Sequence, residues 1–302
     1  MVQYKQYHGI GNFIFNLFLY TGMILVCVVT IYPFLNVLAI SLNDSTDTVR
    51  GGIGIIPRVF TLDNYRRLFE FRGLIDAAQM SVIRTVVGTA VTVFSTTMVA
   101  YTMSRRDFMA RKFVSILFVI TMYVHGGIIP NFMLMRNLGL LNNFWVYIMP
   151  NVVFVWGLFI VRSYIDGLPD ALQESARIDG ANDLIIFLRV VLPLCVPVIA
   201  TVTLFTAVFQ WNSWVDTHIF ASNAPHLSTL QYEMMKILTN VRALQQMAMT
   251  GDRQALEQAA RAISPESIRM AMTIVATVPI LMVYPFLQKY FVSGMVLGGV
   301  KG

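Results

Sequence analysis

Six separate stretches of this chain are long and apolar enough to cross a lipid bilayer, and they constrain its fold more than any other feature. They lie at about residues 13–41, 77–103, 113–135, 144–161, 195–214 and 267–287. A helix crossing the hydrocarbon needs roughly 20 mostly apolar residues. Inside lipid every backbone polar group must be paired within the protein, and helices do this locally. The expected fold is therefore all-α, a single polytopic membrane domain over residues 1–302 with about six transmembrane helices. Pro33, Gly126, Gly127, Pro130, Pro150 and Pro279 fall inside the stretches. They are tolerated where neighbouring helices or water satisfy the freed groups.

Composition points the same way. Of 302 residues, 56% are hydrophobic and only 13% are charged, with a mean hydropathy of +0.65. A soluble domain carries about a quarter charged residues. The net charge of +6 does not indicate nucleic acid, because no dense basic face interleaved with aromatics occurs. Cys27 and Cys195 imply neither a disulfide framework nor a metal site. The first apolar run far exceeds the 7–15 residue core of a signal peptide, so no cleaved leader is expected.

Basic residues divide evenly between the two sides, but short loops weigh most in setting orientation. The run SRRDFMARK at 104–112 has four basic residues in nine, which places it and both termini in the cytoplasm. Segments 43–76 and 215–266 then lie outside. The second includes RALQQMAMTGDRQALEQAARAI, rich in helix formers, and is expected to be a surface helix. It is either a scaffold or a dock for an extracytoplasmic partner.

The most informative segment is 168–198, LPDALQESARIDGANDLIIFLRVVLPLCVPV, within a cytoplasmic loop at 162–194. It is too charged for lipid. Pro169 suits a first helical position and Asp170 the first turn. Gly180 suits the left-handed position after a helix end, Asn182 or Asp183 can cap a second helix reaching Leu192, and Pro193 interrupts it. Two short helices at a sharp bend are expected. Small residues at Ala171, Ser175 and Ala176 allow close packing by another protein, and Glu174, Arg177 and Asp179 could orient it by ionic contacts. A packed connector without a partner is the alternative reading.

Glu174, Ser175 and Ala176, followed after three residues by Gly180 and later by Leu192-Pro193, closely resemble the E-A-A-x-x-x-G signature loop of bacterial ABC importer permeases. The run ESARIDGAND, then Phe187 and VLPL, is similar to the carbohydrate-uptake, maltose-type branch. GGIIP, WNSW and the tail QKYFVSGMVLGGVKG extend the likeness over nearly the whole chain, closest to permeases for complex or uronate-containing oligosaccharides. Ser175 replaces the usual alanine and is nearly as small. The resemblance implies a type I permease fold in the bacterial cell membrane, with the loop inserting a coupling helix into a cytoplasmic ATPase dimer. It also implies a homologous second permease completing the channel and an extracytoplasmic solute-binding protein delivering the oligosaccharide. On that resemblance the coupling role falls to Glu174, Ser175, Ala176, Arg177, Asp179, Gly180, Ala181, Leu192 and Pro193.

This chain has no G-x-x-x-x-G-K-[ST] loop, so ATP and Mg would be used by the partner, with no cofactor, metal or catalytic residue here. A sugar path needs aromatic faces and polar groups at one level. Gln210, Trp211, Asn212, Trp214 and Asp216 supply both, although interfacial tryptophans also serve as plain anchors. Tyr123, His125 and Asn131 flank a glycine pair that could expose carbonyls to a water-filled path or simply kink the helix. Asn151 could face the same cavity. Arg84 is costly in lipid and either faces protein, water or substrate, or snorkels to the surface. A permease for a non-sugar solute is the nearest alternative. A secondary transporter fits less well, because no stretch contains Asp or Glu, and no motif of an intramembrane enzyme is present.

Overall fold

The computed structural model describes residues 10–71, 73–249 and 264–299. Among these the regular structure is helical, apart from one isolated antiparallel bridge between Asn43 and Phe60. In chain order the main helices are α1 (Ile10–Ser41), α2 (Asp63–Glu70), α3 (Leu74–Ser104), α4 (Arg111–Tyr123), α5 (Ile128–Asn137), α6 (Val155–Asp166), α7 (Asp170–Ile178), α8 (Val196–Asn212), α9 (Val215–Phe220), α10 (Leu230–Met249) and α11 (Pro265–Gly299). The chain divides into two compact units, Met1–Phe71 with Leu238–Val275, and Arg72–Ile237 with Ala276–Gly302.

By length and composition, Gly11–Ser41, Leu74–Ser104 and Glu266–Pro285 can each cross a membrane. Two bent pairs qualify if each counts as one span. Phe144–Asn151 with Val155–Asp166 bends by 51°, and Asp183–Leu194 with Val196–Asn212 by 82°. The stretch expected at 113–135 is instead two helices, α4 and α5, of 13 and 10 residues. Gly127 separates them at φ 84°, a conformation that suits a residue without a Cβ.

In the larger unit α3 is the central post. Ala77, Ser81, Arg84, Gly88, Thr92, Thr96 and Ala100 recur every three or four residues and are buried, whereas Val82, Ile83, Val86 and Phe94 are exposed. Small side chains let neighbouring backbones come close, which drives helix association in lipid. At Gly88 an added Cβ would lie 2.8 Å from Gln210 Nε2. The same unit holds two apolar clusters. One gathers Tyr101, Leu158, Val161, Phe187 and Val202; the other gathers Met80, Met135, Tyr147, Ile148 and Leu227.

The break before α6 is satisfied from α3. Phe154 N–H donates to Thr96 Oγ1 at 2.9 Å, and Thr92 Oγ1 donates to the Asn151 carbonyl at 3.3 Å. The expected interruption at Pro193 does not occur there. The helix begun at Asp183 passes through a π turn, Phe187–Val191, into Leu192–Leu194, and the bend follows at Cys195. A π turn shifts the hydrogen-bond register by one residue, which accommodates a proline with no N–H to give.

In the other unit, α1 is almost wholly exposed from Gly11 to Phe34, as expected of a helix surrounded by lipid or by another membrane chain. The segment after it is pinned by buried amides. Asn43 donates to Asp47 at 3.0 Å and accepts from Val59 N–H at 2.9 Å, while Asn64 donates to the carbonyls of Ser41 and Asn43. Arg58 binds Asp47 and the Gly51 carbonyl. The hydrogen bond from Asn43, and then that from Arg58, hold the Asp47 carboxyl below its ordinary range. Of the surface helix expected in 242–263, α10 covers the part to Met249. Residues 250–263 lie outside the described residues, as does the end of the tail at 300–302.

Candidate coupling face and substrate path

Pro169 is extended and precedes α7 rather than opening it, and Asp170 lies in the first turn. The helix closes at Gly180, whose φ is +84°. Gly180 N–H donates to the Arg177 carbonyl and Ala181 N–H to the Ala176 carbonyl, each at 3.0 Å. This pair of bonds is a Schellman ending, which needs a left-handed residue at that place. Nothing lies within 4 Å of a Cβ added to Gly180, so the demand for glycine is conformational and not steric. Asn182 Oδ1 then accepts from Ile185 N–H at 2.9 Å and starts the next helix.

A polar recess of about 430 Å³ flanks α7, lined by Arg105, Arg106, Asp107, Asp170, Gln173 and Arg177 among others. Arg177 Nη2 bridges Asp107 at 3.3 Å and Asp183 at 3.1 Å. Arg105 donates to Gln173 and lies 3.5 Å from Asp107, and Arg106 lies 3.2 Å from Asp170. Asp183, then Asp107, raise the Arg177 pKa. The Asp107 carboxyl is lowered by its own backbone N–H, then by Arg177. Arg177, expected to meet a partner, is thus committed within the chain. Glu174 and Asp179 form no ion pair among the described residues. Glu174, Ser175 and Asp179 are exposed, and Ile178 is 87% exposed. Ala176, Ala181 and Leu192 pack partly on the apolar cluster, and Pro193 is exposed.

Arg105, Asp107, Gln173 and Asp183 were not expected in this role. The basic run at 104–112 signals topology, and nothing in its spacing announces pairing with a helix some 70 positions away.

The outer candidates separate into two groups. Arg84 is fully buried, its Nε donating to Gln210 Oε1 at 2.9 Å and its Nη1 to the Ser213 carbonyl at 3.2 Å, with an ion pair to Asp216. Its guanidinium carbon stands 4.4 Å from the centre of the Tyr147 ring. Snorkelling is therefore corrected: the charge is neutralised inside the protein, which removes the cost of lipid exposure. Gln210 is 1% exposed, and Trp211, 7% exposed, donates its indole N–H to the Ala276 carbonyl at 2.9 Å. Arg84, Gln210 and Trp211 are interior groups in this conformation. Asn212 is exposed and Trp214 half-buried. Tyr123, His125, Asn131 and Asn151 are also exposed, and among the described residues no hydrogen bond or ring contact joins them to the 210–216 group.

The described residues form an all-helical chain with several helices apolar enough to cross a membrane and an exposed helical elbow between two of them. The profile of the family described as "Binding-protein-dependent transport system inner membrane component" matches residues 88–297, and the chain belongs to that family, an inner-membrane permease component rather than a catalytic subunit. It is 36% identical over 292 residues to the polygalacturonan/rhamnogalacturonan transport system permease protein YtcP of Bacillus subtilis, covering 96% of this chain and 99% of the relative. It is 35% identical over 275 residues to protein LplC of the same organism, covering 91% and 90%. With the arabinooligosaccharides transport system permease protein AraQ of Halalkalibacterium halodurans the identity is 29% over 287 residues, covering 93% and 95%. A chain of a bacterial ABC transporter involved in the import of the acidic polysaccharide alginate shares the fold, with a TM-score of 0.80 at 23% identity, covering 94% of this chain and 99% of that one.

Proposed function

We propose that this chain is one of two permease subunits forming the channel of an ATP-driven oligosaccharide importer. ATP, with Mg, is hydrolysed on a cytoplasmic ATPase dimer, and a solute-binding protein delivers the sugar from outside. The observation that carries the reading is α7: a short helix ended by a Schellman turn, braced by Arg177 and Arg105, with Glu174, Ser175, Asp179 and Ile178 presented outward. A helix rigidly held at its base and bare at its face can transmit the closing of an ATPase to the spans behind it. The names of the relatives favour a sugar over another solute.

The topology proposed is six spans in one membrane domain, with the 104–112 loop and both termini cytoplasmic. Asn212, Trp214, Tyr123, His125, Asn131 and Asn151 are proposed to face the sugar path, with Arg84, Gln210 and Asp216 holding its outer wall. The test combines two measurements. Single cysteines at positions 106 and 251 in intact cells should be shielded from and open to an impermeant label, respectively. Glu174→Lys should abolish uptake and co-purification of the ATPase at unchanged permease content. Inverted labelling would reverse the topology, and parental uptake in the variant would reduce α7 to a connector.

A further inference from the structure

Beyond the Trp214 and Asn212 singled out by sequence, three rings meet at the turn that follows α8. Trp214 and His218 are four residues apart, on one face of the α9 start. Their ring centres are 6.2 Å apart, and His218 lies 5.7 Å from Tyr232 of α10, with interplanar angles of 45° and 44°. His218 Nδ1 and the Tyr232 hydroxyl are 3.4 Å apart. Lys236 sits 4.9 Å from the centre of the Tyr232 ring, paired to Glu233, which also accepts from Ser228. The tyrosine is therefore fixed by its neighbours. Beside the rings, Gln231 Nε2 donates to Asn212 Oδ1 at 3.3 Å, which leaves Asn212 Nδ2 and Gln231 Oε1 with no hydrogen-bond partner among the described residues.

An aromatic belt at a membrane surface requires rings spread at one depth. It does not require three rings in series, each touching the next through His218, with two amides beside them. Aromatic faces bind the apolar C–H face of a pyranose, and amides reach its hydroxyls. We propose that Trp214, His218 and Tyr232, with Asn212 and Gln231, form a platform for a glycan of two or more pyranose units. Successive rings about one sugar repeat apart suit a chain better than a monosaccharide. This rests on the function proposed above and identifies His218, Gln231 and Tyr232 as residues that read the substrate.

The complete transporter, with its ATPase, second permease and binding protein in proteoliposomes, tests the assignment. The probes are oligogalacturonides of one, two and four units and neutral arabino-oligosaccharides of the same lengths. Trp214→Ala, His218→Ala and Tyr232→Ala should each raise the half-saturating concentration for the preferred probe of two or four units about three- to tenfold, in line with the loss of one aromatic contact. Tyr232→Phe keeps the ring and loses only the hydroxyl contact with His218, so it should raise the half-saturating concentration less than Tyr232→Ala does. The parental transporter should use the single unit poorly. Parental half-saturation in all three alanine variants overturns the platform, and so does equal damage from Tyr232→Phe and Tyr232→Ala. A parental transporter that takes up neither series overturns the proposed function and this inference with it.

Discussion

Arg84 and Asp216, 132 positions apart in the chain, form a buried ion pair that ties α3 to the start of α9. Arg84 has no contact with solvent, whereas the Asp216 side chain keeps 20% of its exposure. Removing one member strands the other, at a cost of about 3–5 kcal/mol when burial is complete. Asp216→Ala strands the fully buried Arg84 and should cost more than Arg84→Met, which strands an aspartate that keeps some contact with water. Arg84→Met with Asp216→Leu should recover part of the loss, since an apolar pair of similar volume removes the stranded charge. Thermal unfolding of the detergent-solubilised protein, for the two single variants and the double, measures this. A double variant no better than the worse single variant would refute it.

Gly180→Val should enter the membrane normally and fail in transport. A β-branched residue at φ +84° costs about 1 kcal/mol or more, and relief of that strain redirects the chain between α7 and the following helix. Uptake per permease molecule, measured beside ATPase co-purification, reports the effect. Gly180→Asn, which tolerates the left-handed region, should lose less.

Exchanging Arg177 and Asp107 tests the brace behind α7. Both side chains are largely open to water, so neither single change should shift the unfolding temperature noticeably. Transport should still fall in Arg177→Asp, because α7 is no longer held at a fixed angle. The exchange of Arg177→Asp with Asp107→Arg should restore part of it. Restoration excludes a role for Arg177 on the ATPase surface alone.

Acid should loosen the 42–71 segment through Asp47. Its carboxyl is held below the ordinary value of 3.8 in the folded protein. The stabilisation is therefore fully present above that value and disappears as pH falls through the lower folded pKa. Protection of this segment from hydrogen exchange, corrected for the intrinsic pH dependence of the exchange rate, should be steady from pH 7 to about 5 and fall below 3.8. Asn43→Ala removes the largest cause of the shift and should move the fall to higher pH. Identical profiles in the two proteins would dismiss Asp47 as the responsible group.

Spans and elbow were legible for different reasons. Apolar length reveals a straight helix such as α3, and Gly180 with Asn182 reveals local turn chemistry within a few residues. Bends were harder to see. The glycine pair at 126–127 marks the place where α4 parts from α5 but leaves open whether it kinks or fully breaks the helix, and nothing in the spacing announces the π turn that carries the chain past Pro193. Arg84 was recognised as costly, but its partners Gln210 and Asp216 lie on another helix end, and a single sequence holds no record of distance. The same is true of Tyr147 beneath it and of Arg105 against Gln173.

The two threonines of α3 that satisfy the break before α6 bear on biogenesis. Alone in lipid, residues 144–166 would carry an uncapped N–H at Phe154, which is expensive where no water can reach. Thr96 removes that expense only once α3 is already in place. Since α3 precedes the break in the chain and leaves the ribosome first, the order of synthesis is also the order in which the membrane can accept these helices. Moving the 144–166 segment ahead of α3 by circular permutation should stall its insertion even though every native contact could later form.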